Sequence, residues 1–113
     1  MKLTISHNGD VAVVHVGEAR LMYPLLSEFA AAVAGLIAGG EKKVVIDLDS
    51  VNYVDSASIG CLMDLHRQAT AASGAIRLAG VQKRVETMLT LTGAQNFLEI
   101  HADEPSAVKS FGA

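Results

Sequence analysis

Several residue types that mark specialised proteins are scarce in this chain. Among its 113 residues it has one cysteine, Cys61, no tryptophan, two prolines and an aromatic fraction of only 4%. A single cysteine excludes an internal disulfide and a cysteine-rich metal site. The net charge is −3 and the basic residues are scattered. Without a basic stripe or an aromatic stacking platform, we expect no nucleic-acid partner.

Long hydrophobic runs are also missing. Crossing a bilayer requires ~20 apolar residues, and the longest candidate, residues 29–38, is an alanine-rich stretch well short of that. Residues 1–5 have neither the apolar stretch nor the cleavage site of a secretory signal. We therefore expect a cytoplasmic protein without a membrane partner. The length is typical of one domain, so residues 1–113 are predicted to form a single domain.

No motif of an enzyme is present. The segment from Ser56 to Gly60 lacks the first glycine of a nucleophile elbow, and neither a phosphate-binding loop nor a dinucleotide-binding glycine motif occurs. The four histidines fall on four different predicted elements and lack metal-ligand spacing: His7, His15, His66 and His101. The sequence therefore predicts no catalytic residues, no cofactor and no metal site.

What the chain does contain is an alternation of β-rich and helical segments. Two β-rich runs flank Asn8-Gly9-Asp10, a strong hairpin signal. Predicted strands cover residues 2–7, 11–17, 44–46, 75–79 and 97–101, and predicted helices cover residues 24–38, 57–72, 83–91 and 104–111. Strands that alternate with helices indicate parallel pairing through right-handed crossovers. We predict an α/β domain with about four helices and a mixed, mostly parallel sheet of four to five strands, antiparallel only at the first hairpin.

Function is expected at the carboxyl ends of the strands, where the loops of a parallel sheet meet. Three loops reach that edge: residues 17–23, 49–55 and 80–82. In the second loop, Asp55-Ser56 stands at the start of the second helix. Ser56 there has two compatible interpretations, a helix cap or a phosphorylation site, because a helix N-terminus tolerates a phosphate well.

The segment Val44–Leu62 resembles the STAS domain family, which comprises sulfate transporter domains and bacterial anti-sigma factor antagonists. The likeness consists of an apolar strand ending in Asp47-Leu48, a short loop, then Asp55-Ser56 followed by small residues, an aliphatic residue and Gly60. It extends over about residues 9–111. The resemblance implies a single STAS domain of the stand-alone antagonist type.

The resemblance also implies a mechanism. Such antagonists bind an anti-sigma factor that is a serine kinase, which can phosphorylate the serine corresponding to Ser56 and so end the partnership; a phosphatase resets it. The kinase holds the nucleotide and metal, so this chain needs no cofactor. A monomer or weak dimer is expected. Candidate partner-contacting residues are Asp55, Ser56, Ser58, Arg20, Tyr23 and Tyr53.

Two departures from the family pattern leave an alternative open. Many members have glycine where this chain has Ser58, and the common Gly-x-Leu/Ile-Asp stretch reads Gly17-Glu18-Ala19-Arg20 here. Arg20 is a candidate to pair with a phosphate on Ser56, and Ser58 is either an alternate acceptor or a partner in a local backbone hydrogen bond. The alternative function is a non-switching STAS scaffold or a sensor of a small ligand.

Overall fold

The computed structural model describes residues 2–112. Strands β1 to β7 are Leu3–Asn8, Val11–Val16, Arg20–Leu21, Lys43–Asp47, Tyr53–Val54, Ala75–Ala79 and Glu99–His101. Helices α1 to α4 are Leu25–Ala38, Ser56–Ala71, Lys83–Thr92 and Glu104–Ser110, and a 3-10 turn covers Ala94–Asn96. No helix of the described chain has the length and apolar character needed to cross a membrane.

The main sheet has five strands in the order β1-β2-β4-β6-β7. The β1–β2 hairpin is antiparallel and the other three pairings are parallel, as predicted. Asn8 pairs with Val11, so the hairpin turn consists of Gly9 and Asp10 alone. Gly9 has a φ of 63°, a left-handed conformation that favours glycine and suits a tight two-residue turn.

Helices cover both faces of this sheet, and each face has its own apolar cluster. On one face α1, α2 and α3 pack on the larger cluster, which contains Phe29, Leu62 and Leu89. On the other face α4 packs Ala107 and Val108 against the second cluster. Burial on both faces explains why β4 reads as an apolar run without alternation.

Two predicted details differ from the structure. Phe97 was expected to begin the last strand, but it follows the 3-10 turn and is 61% exposed. Helical spacing within residues 57–72 predicts Met63 and His66 on the inner stripe of α2, but the buried stripe contains Leu65 and both predicted residues are only half-buried. Leu65 lies three residues after Leu62 and four before Ala69, so the helical repeat places all three on one face.

Candidate functional site

The three predicted loops do meet at one edge of the sheet, and hydrogen bonds join them. The backbone N–H of Asn52 donates to the carbonyl of Ala19 at 2.8 Å. The side-chain amide of Gln82 donates to the carbonyl of Asp49 at 2.7 Å. The loop that carries Asp55 is therefore held from both sides.

A small second sheet in these loops was missed by sequence reasoning. β3 and β5 pair in parallel, with Arg20 opposite Tyr53 and Leu21 opposite Val54. The Arg20 guanidinium carbon lies 5.8 Å from the centroid of the Tyr53 ring, within the range of a cation–π contact. Strands of two residues have no periodicity to detect, so only the fold reveals this pairing.

Asp55 caps α2 in a capping box with Ser58. The Ser58 N–H donates to Asp55 Oδ1 at 2.8 Å, and the Asp55 N–H donates to Ser58 Oγ at 2.8 Å. The helix begins at Ser56 and not, as predicted, at Ala57. The interpretation of Ser56 as the cap is wrong, because a capping side chain must reach the third helical N–H and Asp55 occupies that position.

Ser56 is left free by this arrangement. It is exposed, and its hydroxyl has no hydrogen-bond partner within residues 2–112. In the first turn, Asp55 binds the N–H groups of Ser58 and Ile59, whereas those of Ser56 and Ala57 have no partner inside the helix. Ser56 is thus the first residue of a helix end that carries unpaired N–H groups and the positive end of the helix dipole.

Ser58 does not belong to the accessible surface. Its exposed fraction is 0%, and its hydroxyl donates to the carbonyl of Asp55 at 2.9 Å. The predicted local hydrogen bond is confirmed. The roles of Ser58 as an alternate acceptor and a partner-contacting residue are wrong, because the capping box turns its side chain inward.

The two candidate tyrosines lie on the surface. Tyr23, between β3 and α1, is 81% exposed, and Tyr53 is 39% exposed. Tyr53 lines a cavity of about 260 Å³ together with Val54, Arg84 and Met88. Arg84 lies in the first turn of α3, and Val54 precedes the start of α2 by two residues, so the cavity adjoins the start of α2.

Three ionisable side chains converge behind these loops, which sequence reasoning also missed. The His15 Nε2–H donates to Asp49 Oδ1 at 2.9 Å, and Asp47 Oδ1 accepts from the Asp49 N–H at 3.0 Å. The possible ligand atoms of these three residues lie within 4.8 Å of one another. Histidine and aspartate are residue types that can bind a divalent cation. The hydrogen bonds show what the group does in this structure: it fastens β2, β4 and the following loop together.

Asp47 gives the protein a specific pH dependence. Burial, reinforced by the negative charge of Asp49, raises the pKa of this carboxyl. The folded chain therefore takes up this proton at a higher pH than the unfolded chain, and the contribution of Asp47 to stability increases as the pH falls from neutrality toward its unfolded pKa of about 3.9.

We expect Asp47→Asn to raise the free energy of unfolding at pH 7. The variant should also lack the increase in stability that Asp47 gives the wild type as the pH falls. The asparagine oxygen can keep the bond to the Asp49 N–H. Urea unfolding of wild type and variant between pH 4 and pH 8 measures the difference, with the exposed Asp64→Asn as a control. A variant that is less stable at pH 7, with an unchanged pH slope, would contradict this account.

The capping box can be tested in the same way. Asp55→Ala removes the side chain that binds the Ser58 N–H, and loss of such a cap costs about 1 kcal/mol. Ser56→Ala deletes an exposed hydroxyl without a partner and should change the free energy of unfolding by less than about 0.5 kcal/mol. Equal losses in the two variants, measured by urea unfolding, would contradict the assignment of the cap to Asp55 alone.

A cysteine near a helix N-terminus, such as Cys61, can be either an activated thiol or a small packed side chain. It is half-buried in α2, and burial, with a smaller effect from Asp64, raises the pKa of its thiol. The packing interpretation agrees with this direction, since a raised pKa disfavours the reactive thiolate.

Known structures share this architecture. An anti-sigma factor antagonist from Mycobacterium paratuberculosis has a TM-score of 0.89 at 16% identity, with 99% of this chain and 94% of that chain covered. An anti-sigma-factor antagonist (STAS) domain protein from Planctomyces limnophilus has a TM-score of 0.85 at 17% identity, with 98% of both chains covered. The Bacillus cell fate determinant SpoIIAA in its phosphorylated form has a TM-score of 0.75 at 14% identity, with 96% of this chain and 98% of that chain covered.

These identities are low, so the likeness to these structures establishes the fold. The family is established separately by a model of the STAS domain, which matches residues 2–107. This match includes the strand β4, the loop that follows it and the whole of α2. The chain therefore belongs to the STAS domain family.

Proposed function

We propose that this chain is an anti-sigma factor antagonist that binds a serine-kinase anti-sigma factor when unphosphorylated and is switched off by phosphorylation of Ser56. The observation that carries the proposal is the exposed, unpartnered hydroxyl at the first position of α2. Members of this class are non-enzymatic regulatory proteins, in agreement with the prediction that the chain is not an enzyme.

The local geometry supports an acceptor role. The capping box is formed by Asp55 and Ser58. A kinase can therefore bind the Ser56 hydroxyl without breaking a hydrogen bond that stabilises the helix. In the transfer, the Ser56 oxygen forms a bond to the γ-phosphorus of ATP, the bond to the β-phosphate oxygen breaks, ADP leaves and the hydroxyl proton passes to a base of the kinase. A phosphatase later hydrolyses the ester with water.

The modified residue would be tolerated by the fold but not by the complex. A phosphate adds a charge of about −1.5 to −2, and the unpaired N–H groups of the first turn of α2 can bind it. The same charge would lie between this chain and the kinase, where an uncompensated buried charge opposes binding. The likeness to SpoIIAA, a protein known in a phosphorylated form, supports this switch.

Neighbouring side chains complete the proposed partner surface. Asp55, Arg20, Tyr53 and Tyr23 belong to the same loops, and the pairing of β3 with β5 sets Arg20 beside Tyr53, three residues before Ser56. We assign Arg20 the role of pairing with the phosphate, for which a guanidinium is well suited. We expect the unmodified protein to be a monomer or weak dimer in the cytoplasm.

The direct test is to isolate the tagged chain from its own host cells and to map phosphorylation by mass spectrometry. We expect phosphate on Ser56 in wild type and none in Ser56→Ala. Modification that persists in Ser56→Ala would rule out this acceptor, and no modification under any growth condition would favour the non-switching scaffold. Thermal unfolding of the phosphorylated protein tests Arg20: the phosphate should stabilise wild type more than Arg20→Ala, and equal stabilisation would remove Arg20 from the site.

A further inference from the structure

A second cavity of the described chain lies away from the capping box, beside the second half of α2. Its volume is about 420 Å³, within the range of about 300–1,000 Å³ that is common for small-molecule sites. Six residues line it: Met63, His66, Arg67, Thr70, Ala71 and Phe97. The cavity is thus formed between α2 and the segment that follows the 3-10 turn.

The walls of this cavity are mainly apolar. Phe97 is 61% exposed, an unusual position for a large aromatic side chain in a chain with so few of them. The Thr70 hydroxyl is already engaged, since it donates to the carbonyl of His66 at 3.0 Å. A flat aromatic ring can stack on Phe97 while the polarisable thioether of Met63 adapts to its shape.

The charge of the lining is of one sign. Arg67 is a cation, and no carboxylate lines the cavity. Asp64 approaches the Arg67 guanidinium only to 3.6 Å, and both side chains are more than half exposed. Such an exposed pair contributes little, so the guanidinium keeps N–H groups with which to bind a carboxylate in the bidentate manner.

His66 adds a second polar group. Its Nδ1 is buried without a hydrogen-bond partner among residues 2–112, which leaves Nε2 as the ring nitrogen that can reach a ligand. The tautomer with its proton on Nε2 avoids a buried, unpaired N–H. The lining can therefore offer an imidazole N–H donor beside the Arg67 guanidinium.

We propose that this cavity binds a small carboxylic acid with a flat apolar body. The ring lies against Phe97 and Met63, and the carboxylate pairs with Arg67. The site is separate from Ser56, so the inference stands whether or not the chain is phosphorylated. It assigns to this protein a ligand site beyond the partner switch.

The test uses 1-naphthylacetate as the probe and 1-naphthylacetamide as its uncharged counterpart. Titration of the isotope-labelled full chain, followed by amide NMR shifts, should show saturable changes at Phe97 and along residues 63–71. For a ligand of this size we expect a dissociation constant of about 1 mM or tighter. The amide should bind about fivefold more weakly, because it cannot form the ionic pair.

Three variants locate the site. Arg67→Gln should weaken binding of the acid about fivefold and leave binding of the amide unchanged, while Phe97→Ala should weaken both. Arg84→Gln is the matched control, because Arg84 is an exposed arginine that lines the other cavity. The thermal midpoint of each variant verifies that it folds.

Several results would overturn the proposal. They are the lack of saturable shifts at these residues, equal binding of acid and amide, or unchanged binding of the acid by Arg67→Gln. Saturation of the same residues by an acidic amphipathic peptide, without binding of the acid, would reassign the cavity to a protein partner and equally overturn the ligand site.

Discussion

Ser56→Glu is expected to bind the proposed kinase partner at least about 30-fold more weakly than wild type. The glutamate would put a negative charge at an exposed helix start that the complex covers, and an unpaired charge in an interface costs about 2–5 kcal/mol. A cost of about 2 kcal/mol already corresponds to this factor. Because the capping box does not involve the Ser56 side chain, the free energy of unfolding should be almost unchanged.

Titration calorimetry with the kinase purified from the same organism measures the loss, and two variants control it. Ser56→Ala should bind like wild type, since it removes only an unpartnered hydroxyl. Ser106→Glu adds the same charge to the first turn of α4, a helix that Asp103 caps on the opposite face of the sheet, and should also bind normally. If Ser56→Glu and wild type bind equally well, a negative charge on this residue is not the switch.

Phe29→Ala is expected to lower the free energy of unfolding by about 3–5 kcal/mol. Phe29 is 0% exposed and is among the largest fully buried side chains of the described chain. It belongs to the cluster that α1, α2 and α3 share with the sheet. Truncation leaves a cavity that a close-packed interior cannot refill, so the loss exceeds the transfer free energy of the ring. Such a loss is a large fraction of the 5–15 kcal/mol that stabilises an ordinary domain.

Urea unfolding measures this loss, and Leu91→Ala is its control. Leu91 is a large apolar residue on α3, but it is 76% exposed, so its truncation should change the free energy of unfolding by less than about 0.5 kcal/mol. Similar losses in the two variants would contradict the packing of α1 described above. The comparison separates burial from hydrophobicity, because both variants remove a large apolar side chain from a helix.

Much of the fold is predictable because it depends on contacts between residues close in sequence. Gly93, in a left-handed conformation, ends α3, and a glycine just after a helix is a signal that the sequence itself contains. The hairpin turn at Gly9 and the apolar faces of α1 and α3 follow from local spacing in the same way. The Asp55–Ser58 capping box joins residues three apart, so the sequence alone placed Ser56 beside a helix start, although it left open which residue is the cap.

The remaining features join residues that are distant in sequence. Arg20 pairs with Tyr53 because the loops that follow two separate strands of the main sheet lie side by side. His15 contacts Asp49 only because β2 lies beside β4. The cavity between α2 and Phe97 is likewise formed by elements that the sheet brings together. The sequence by itself determined the order of the elements and the position of the N-terminal end of α2, since hydrogen bonding and burial within a few residues decide both. Only the tertiary structure decided which side chains face solvent around Ser56 and which share a pocket, because those neighbours are chosen by the packing of the whole chain.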